Sequence, residues 1–220
     1  ALRLRGEVLK PEWRGCGDVP LKSDRQACLS DFENLIDLLR GELKSLDADE
    51  RFVLTRRIGI IVPSVTLEQI GALMSVSRER IRQIQEAAID RLLRRSPVFE
   101  EMAQALIERC GEGLCPLSEL NEDAFFHPLA SVPNDVPFFL DRFTKKRVRA
   151  VSIGDELFLT ALDADIDRAY AGYRERAKGA SFPLPMSALR EELVKALPRE
   201  LLSAESVFWE RVSGEVAVEQ

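Results

Sequence analysis

Four side chains within six consecutive positions, Arg78, Glu79, Arg82 and Gln83, have the chemistry of base-edge recognition. An arginine can bridge O6 and N7 of guanine, a glutamine can pair with adenine, and a glutamate can accept from cytosine N4. On a helix Arg78 and Arg82 share one line, and Glu79 and Gln83 share the next. Ile81 and Ile84 take the inward positions of that helix, so the four polar residues face out. Arg91, Arg94 and Arg95 follow on the same segment and suit phosphate oxygens, which set register without reading sequence.

The elements that must position these residues are legible on either side. In "TLEQIGALMSVSRERIRQI", Thr66 and Gln69 form a capping box and open one helix. Ser77 caps the next, whose apolar positions Ile81, Ile84, Ala88 and Leu92 form a narrow stripe running to about Arg95, before Ser96-Pro97. Leu67, Ile70, Leu73 and Met74 are expected to point inward. Gly71 allows the two helices to approach closely, and Val76 is expected to plug the joint. Ser75 stands where a glycine is common. The pattern is a helix-turn-helix. Upstream, "DADE" starts another helix at Asp47, closed by Gly59 and Pro63. The alternative reading of this arginine-rich face is a solvated surface with ordinary i,i+4 pairs such as Arg82 with Glu86.

The stretch "LDADERFVLTRRIGIIVPSVTLEQIGALMSVSRERIRQIQEAAIDRLLRR" resembles region 4 of primary-class bacterial RNA polymerase sigma factors, over about 50 residues. The resemblance rests on "TLEQIG", "VSRERIRQI" and "AIDRLLRR". It implies major-groove reading by the helix that starts at Ser77, with Arg78, Glu79, Arg82 and Gln83 facing bases. It places Arg80 as a phosphate or structural partner, and Arg56 and Arg57 toward the DNA backbone or RNA polymerase, on whose flap this region docks. Ser77, Arg91, Arg94 and Arg95 complete the expected phosphate contacts on this fold. Three departures stand out. Gln85 replaces a usual glutamate, the loop "IIVPSV" is short, and more than 120 residues follow a region that normally ends a sigma factor. The chain is therefore expected to be a reading head joined to other units, not a complete initiation factor.

Residues 1–45 read as a linker and one helical segment from Ser30, with Gly41 as its expected end, and residues 46–96 as the DNA-binding domain. Residues 97–161 run helix, short strand, two short helices and a hairpin with Gly154-Asp155 in the turn, the order of a winged helix. Residues 162–220 repeat it at an offset of 69, with "PMSAL" over "PLSEL" and "VFWER" over "FFLDR". The expected class is mainly α, with one or two winged-helix-like α+β units after the helix-turn-helix. In the first unit Lys145, Lys146 and Arg147, flanked by Arg142 and Arg149, form a candidate phosphate patch. Residues 97–161 nevertheless hold six basic and eleven acidic side chains, which favours protein docking. Phe208 and Trp209 read as core.

The net charge of −6 argues against indiscriminate coating of nucleic acid, and the only net-basic stretch is 46–96, with nine basic and seven acidic residues. Cys16, Cys28, Cys110 and Cys115 are irregularly spaced beside a single histidine, His127, so no metal is expected. "LDADID" lacks the rest of a calcium loop, and Asp163 is expected to cap a helix. No catalytic residue or cofactor is expected in these residues. No apolar run is long enough to span a bilayer, and a cytoplasmic protein is expected. The first reading is a sequence-recognising double-stranded DNA-binding protein in transcription. The others are a module docking on RNA polymerase or another protein, and the targeting part of a longer enzyme such as a defence-system component.

Overall fold

The computed structural model describes residues 28–111, 113–179 and 185–218. Cys16, most of the expected linker and residues 180–184, within the expected second winged-helix-like unit, lie outside them. The described chain is mostly helical with one small sheet. A short 3-10 turn precedes α1 (Leu35–Leu43), whose cap is Asn34, accepting from the Asp37 amide, so the helix starts later than Ser30. It also runs through Gly41. A Cβ there would lie 3.0 Å from the Phe32 ring, so the glycine makes room for an aromatic rather than ending the helix.

The helix-turn-helix is built from α2 (Ala48–Ile58), α3 (Leu67–Met74) and α4 (Arg78–Arg95). Each begins on the expected cap. Asp47 accepts from the Glu50 amide at 2.9 Å, Thr66 and Gln69 form the reciprocal box, and Ser77 accepts from the Arg80 amide at 3.2 Å. The joint between α3 and α4 depends on Gly71. A Cβ at that position would stand 2.7 Å from the Val76 carbonyl oxygen, a backbone atom that cannot swing away. Val53, Ile70 and Ile81, all fully buried, form the small core of the joint, with Leu67, Met74 and Ile84 half-buried around it. Two expectations differ. Leu73 is 63% exposed, because its position on α3 faces away from both neighbouring helices, and Val76 is 39% exposed, because its backbone rather than its side chain closes the turn.

The next unit comprises α5 (Val98–Cys110), β1 (Cys115–Pro116), a 3-10 turn at 117–122 where a helix is expected, α6 (His127–Ala130), α7 (Val136–Phe143), β2 (Arg149–Ile153) and β3 (Glu156–Thr160). The strands are antiparallel in the order β1-β3-β2, with Gly154 at φ 63° in the hairpin turn. This is the helix and sheet order of a winged helix. Cys110 ends α5 and Cys115 opens β1, with the Cys115 thiol toward the Pro116 carbonyl at 3.7 Å. The neighbouring thiols act on each other, pushing Cys110 up and holding Cys115 down.

The two faces of the sheet serve different cores, as alternation along a strand requires. Leu159 belongs to a large core shared by α1, α2, α4, α5 and α7. Phe158, Val151 and Ile153 face a second core with Ile166, Tyr173, Leu189, Phe208 and Val212. That second core collects α8 (Ile166–Lys178), α9 (Met186–Lys195), a 3-10 turn at 199–204 and α10 (Glu205–Val218). α9 and α10 begin 69 residues after the earlier 3-10 turn and α7. The cap of α8 is Asp165, accepting from the Arg168 amide, and not Asp163. Phe208 is fully buried and Trp209 half-buried, under the Arg190 guanidinium.

Ser75 closes α3 at φ 58°, ψ 38°. A non-glycine residue there bears about 1–2 kcal/mol, against about 0.5–1 kcal/mol of extra chain entropy that a glycine loses on folding. Ser75→Gly is therefore expected to raise stability by up to about 1 kcal/mol, and Gly71→Ala to lower it by about 1–3 kcal/mol. Chemical denaturation of the two variants checks both signs.

Candidate nucleic-acid interface

α4 is long, and its two sides differ. Ile81, Gln85, Ala88, Ile89 and Leu92 are buried, which turns Arg78, Glu79, Arg82 and Gln83 outward on its N-terminal half. All four are exposed, and they are already in contact. The Glu79 carboxylate accepts from Arg82 Nε at 2.9 Å and Nη2 at 2.7 Å, and from Gln83 Nε2 at 3.4 Å. The Arg82 guanidinium holds the Glu79 carboxyl below the usual range, and Glu79 in turn raises Arg82. Arg78 Nη1 donates to Glu68 on α3 at 3.0 Å. Exposed pairs of this kind are worth little in water, so they hold the side chains in place without committing them.

The remaining expected contact residues divide by what they touch. Arg80 is exposed beside a shallow cleft lined by Asp47, Glu50 and Gln83. Arg56 is half-buried over the Phe52 ring, at 4.8 Å. Arg94 is exposed and paired with Asp90 at 2.9 Å, and Arg95 is exposed at the end of α4, near Glu42. Ser77 spends its hydroxyl on the Arg80 amide as the helix cap. Lys145 and Lys146, at φ 53° and 64°, project from the turn after α7, near Glu100 and Asp141 at 3.7 and 3.9 Å. Arg147 is held by Glu100 and by Gln104 Oε1.

Arg57 and Arg91 are different in kind. Arg91 Nη1 donates at 2.6 Å to Glu50, whose side chain is 7% exposed, so it neutralises a nearly buried carboxylate. Arg57 Nε donates to Gln85 Oε1 at 3.0 Å and its Nη1 donates to the Val65 carbonyl at 2.8 Å, while its guanidinium lies over the Phe138 ring at 4.9 Å. Burial pulls the Arg57 guanidinium below its ordinary range, and the Asp135 charge acts against that. Sequence reasoning did not give Gln85 this role, though its departure from the family pattern was the available signal. A neutral amide accepts from Arg57 in a half-closed site without adding a second buried charge.

The joint of α3 and α4, with its capped, outward-facing second helix, defines a helix-turn-helix of the DNA-binding type. Residues 43–94 match the family model for sigma-70 region 4, and that segment of the chain is a sigma-70 region 4. The RNA polymerase sigma factor SigA2 of Synechococcus elongatus is 33% identical over 87 residues, which cover 38% of this chain. The matched part spans 27% of that relative's length. No solved structure gives a match. Among the described residues no group of histidine, cysteine or carboxylate side chains could hold a metal ion, and no helix is long and apolar enough to cross a membrane.

Replacing Gln85 by leucine leaves Arg57 with one fewer acceptor in a half-closed site. Gln85→Leu is expected to cost about 1–3 kcal/mol of stability, and Gln85→Glu to cost less, because a carboxylate still accepts from Arg57. Thermal unfolding of both variants gives the order.

Proposed function

We propose that this chain is a sequence-recognising double-stranded DNA-binding protein of transcription that reads the major groove with the N-terminal half of α4. The observation that carries the reading is the segregation on that helix. Arg78, Glu79, Arg82 and Gln83 are all exposed on its first two turns, while Ile81 and Gln85 on the opposite side are buried. Arg82 and Gln83 must leave Glu79 to reach base edges, and exposed charge pairs release cheaply. Glu79 is then free to accept from a cytosine amino group.

The phosphate contacts proposed are those whose charge is not enclosed: Arg56, Arg80, Arg94 and Arg95 around the reading helix, with Lys145 and Lys146 further off. Arg57 is better explained by the acceptors it satisfies inside the fold, Arg91, though half exposed, by the nearly buried Glu50 carboxylate it neutralises, Ser77 by its cap, and Arg147 by Glu100 and Gln104. The role is binding, and no residue is assigned a catalytic step. The cytoplasm fits a DNA-binding role. A second reading, docking on RNA polymerase without base readout, draws on the acidic balance of residues 97–220, with fourteen basic and twenty-two acidic side chains.

Selection from a randomised duplex pool tests the first reading. The wild-type chain is expected to enrich one motif, and Arg82→Ala to lose roughly ten-fold or more in affinity with relaxed preference at a single base pair. Arg94→Ala is expected to weaken all sequences equally and lower the salt slope by about 1. No motif from either protein, with retention of core RNA polymerase, would establish the second reading in its place.

A further inference from the structure

In a winged helix the third helix is the one that commonly enters the DNA groove, and α7 holds that position here. Its side chains are spent elsewhere. Val136, Phe139, Leu140 and Phe143 fill the large core. A second line, Asp135, Phe138 and Arg142, recurs at helical spacing and meets the helix-turn-helix. Asp135 lies against Gly59 at the end of α2, so closely that a Cβ on that glycine would fall 2.2 Å from the carboxyl carbon. The Phe138 ring lies under the Arg57 guanidinium, and Arg142 Nη1 donates to Glu86 on α4 at 3.0 Å. What α7 leaves exposed is Pro137 and Asp141, and its one cation, Arg142, is 37% exposed and paired with Glu86 and Asp141. A helix whose exposed charge is a carboxylate repels a phosphate backbone.

We infer that α7 is an internal docking surface whose partner is the region 4 fold of the same chain, and that the winged-helix-like unit positions α4 rather than reading DNA with its own third helix. The apolar residues of α2 and α4 that do not face α3, among them Leu54, Ile58, Ala88, Ile89 and Leu92, lie in one core with Phe139 and Phe143. The rear of the helix-turn-helix is thereby closed by its own chain. Asp135, Phe138 and Arg142 are positioning residues acting through Gly59, Arg57 and Glu86. The consequence for DNA rests on the reading proposed for α4, but the docking itself does not.

Two measurements on the full chain decide it. Hydrogen–deuterium exchange without DNA is run on wild type, Phe138→Ala and Arg142→Gln. Docking predicts faster exchange in α2 and the C-terminal half of α4, by roughly ten-fold for Phe138→Ala. Exchange that rises only within residues 97–161 overturns the inference, and this result does not depend on whether α4 binds DNA. Salt titration of DNA affinity follows, with Arg142→Gln, which removes the charge and keeps a polar side chain. An unchanged slope agrees with a protein-facing α7. A slope lowered by about 1 shows that Arg142 meets a phosphate and overturns the inference. If the wild type binds no DNA, the α4 reading fails while the exchange result still decides the docking.

Discussion

The Arg57 guanidinium is the constraint around which the helix-turn-helix of this molecule is arranged. One planar cation draws together four separate pieces of chain: the helix that carries it, the loop at Val65, the inner side of α4 at Gln85, and the Phe138 ring of α7. Burying a charge is costly unless its donors are matched, and here they meet a carbonyl, an amide oxygen and an aromatic face. The short loop between α2 and α3 has its position because Val65 must present its carbonyl to that cation. Gln85 ties the inner side of α4 to that cation, together with the buried Ile81, Ala88, Ile89 and Leu92 of the same face.

Charge is handled differently on the two sides of α4. Outside, the ionised groups pair loosely with each other in water and are available to a ligand. Inside, the buried acceptors Glu50 and Gln85 are each satisfied by an arginine, Arg91 and Arg57, whose own side chains still reach solvent in part. The same residue type, arginine, thus serves two purposes within one short segment. Counting arginines along the sequence overstates the surface available to a polyanion. The acidic remainder of the chain suits this arrangement, because a focused basic face in an acidic protein limits non-specific attraction.

The three-stranded sheet links the parts behind that face. Because neighbouring strand residues point to opposite sides, Leu159 can hold the large core while Phe158 holds the second one. Tyr173, Glu205 and Arg190 tie the second core together, with Arg190 donating to both carboxylate oxygens of Glu205 at 2.9 and 2.8 Å. The chain is in this sense a series of packed layers.

Local sequence determined much of this. Caps at Asp47, Thr66 and Ser77, the glycine at position 71, the hairpin at Gly154 and the outward side of α4 are set by interactions within a few residues, so they can be read from spacing alone. The offset of 69 between the later elements was also visible in two short matches. Tertiary structure decided the rest, because it depends on partners far apart in the chain. Gly41 lies inside a helix since Phe32 occupies the space beside it, and Leu73 is exposed since no neighbouring helix covers its side of α3. Arg57 turns inward, and Arg91 is drawn onto the nearly buried Glu50, because their acceptors arrive from residues 28 and 41 positions away. Spacing shows which residues share a helix face, but only the packing of other elements shows whether that face meets protein or water.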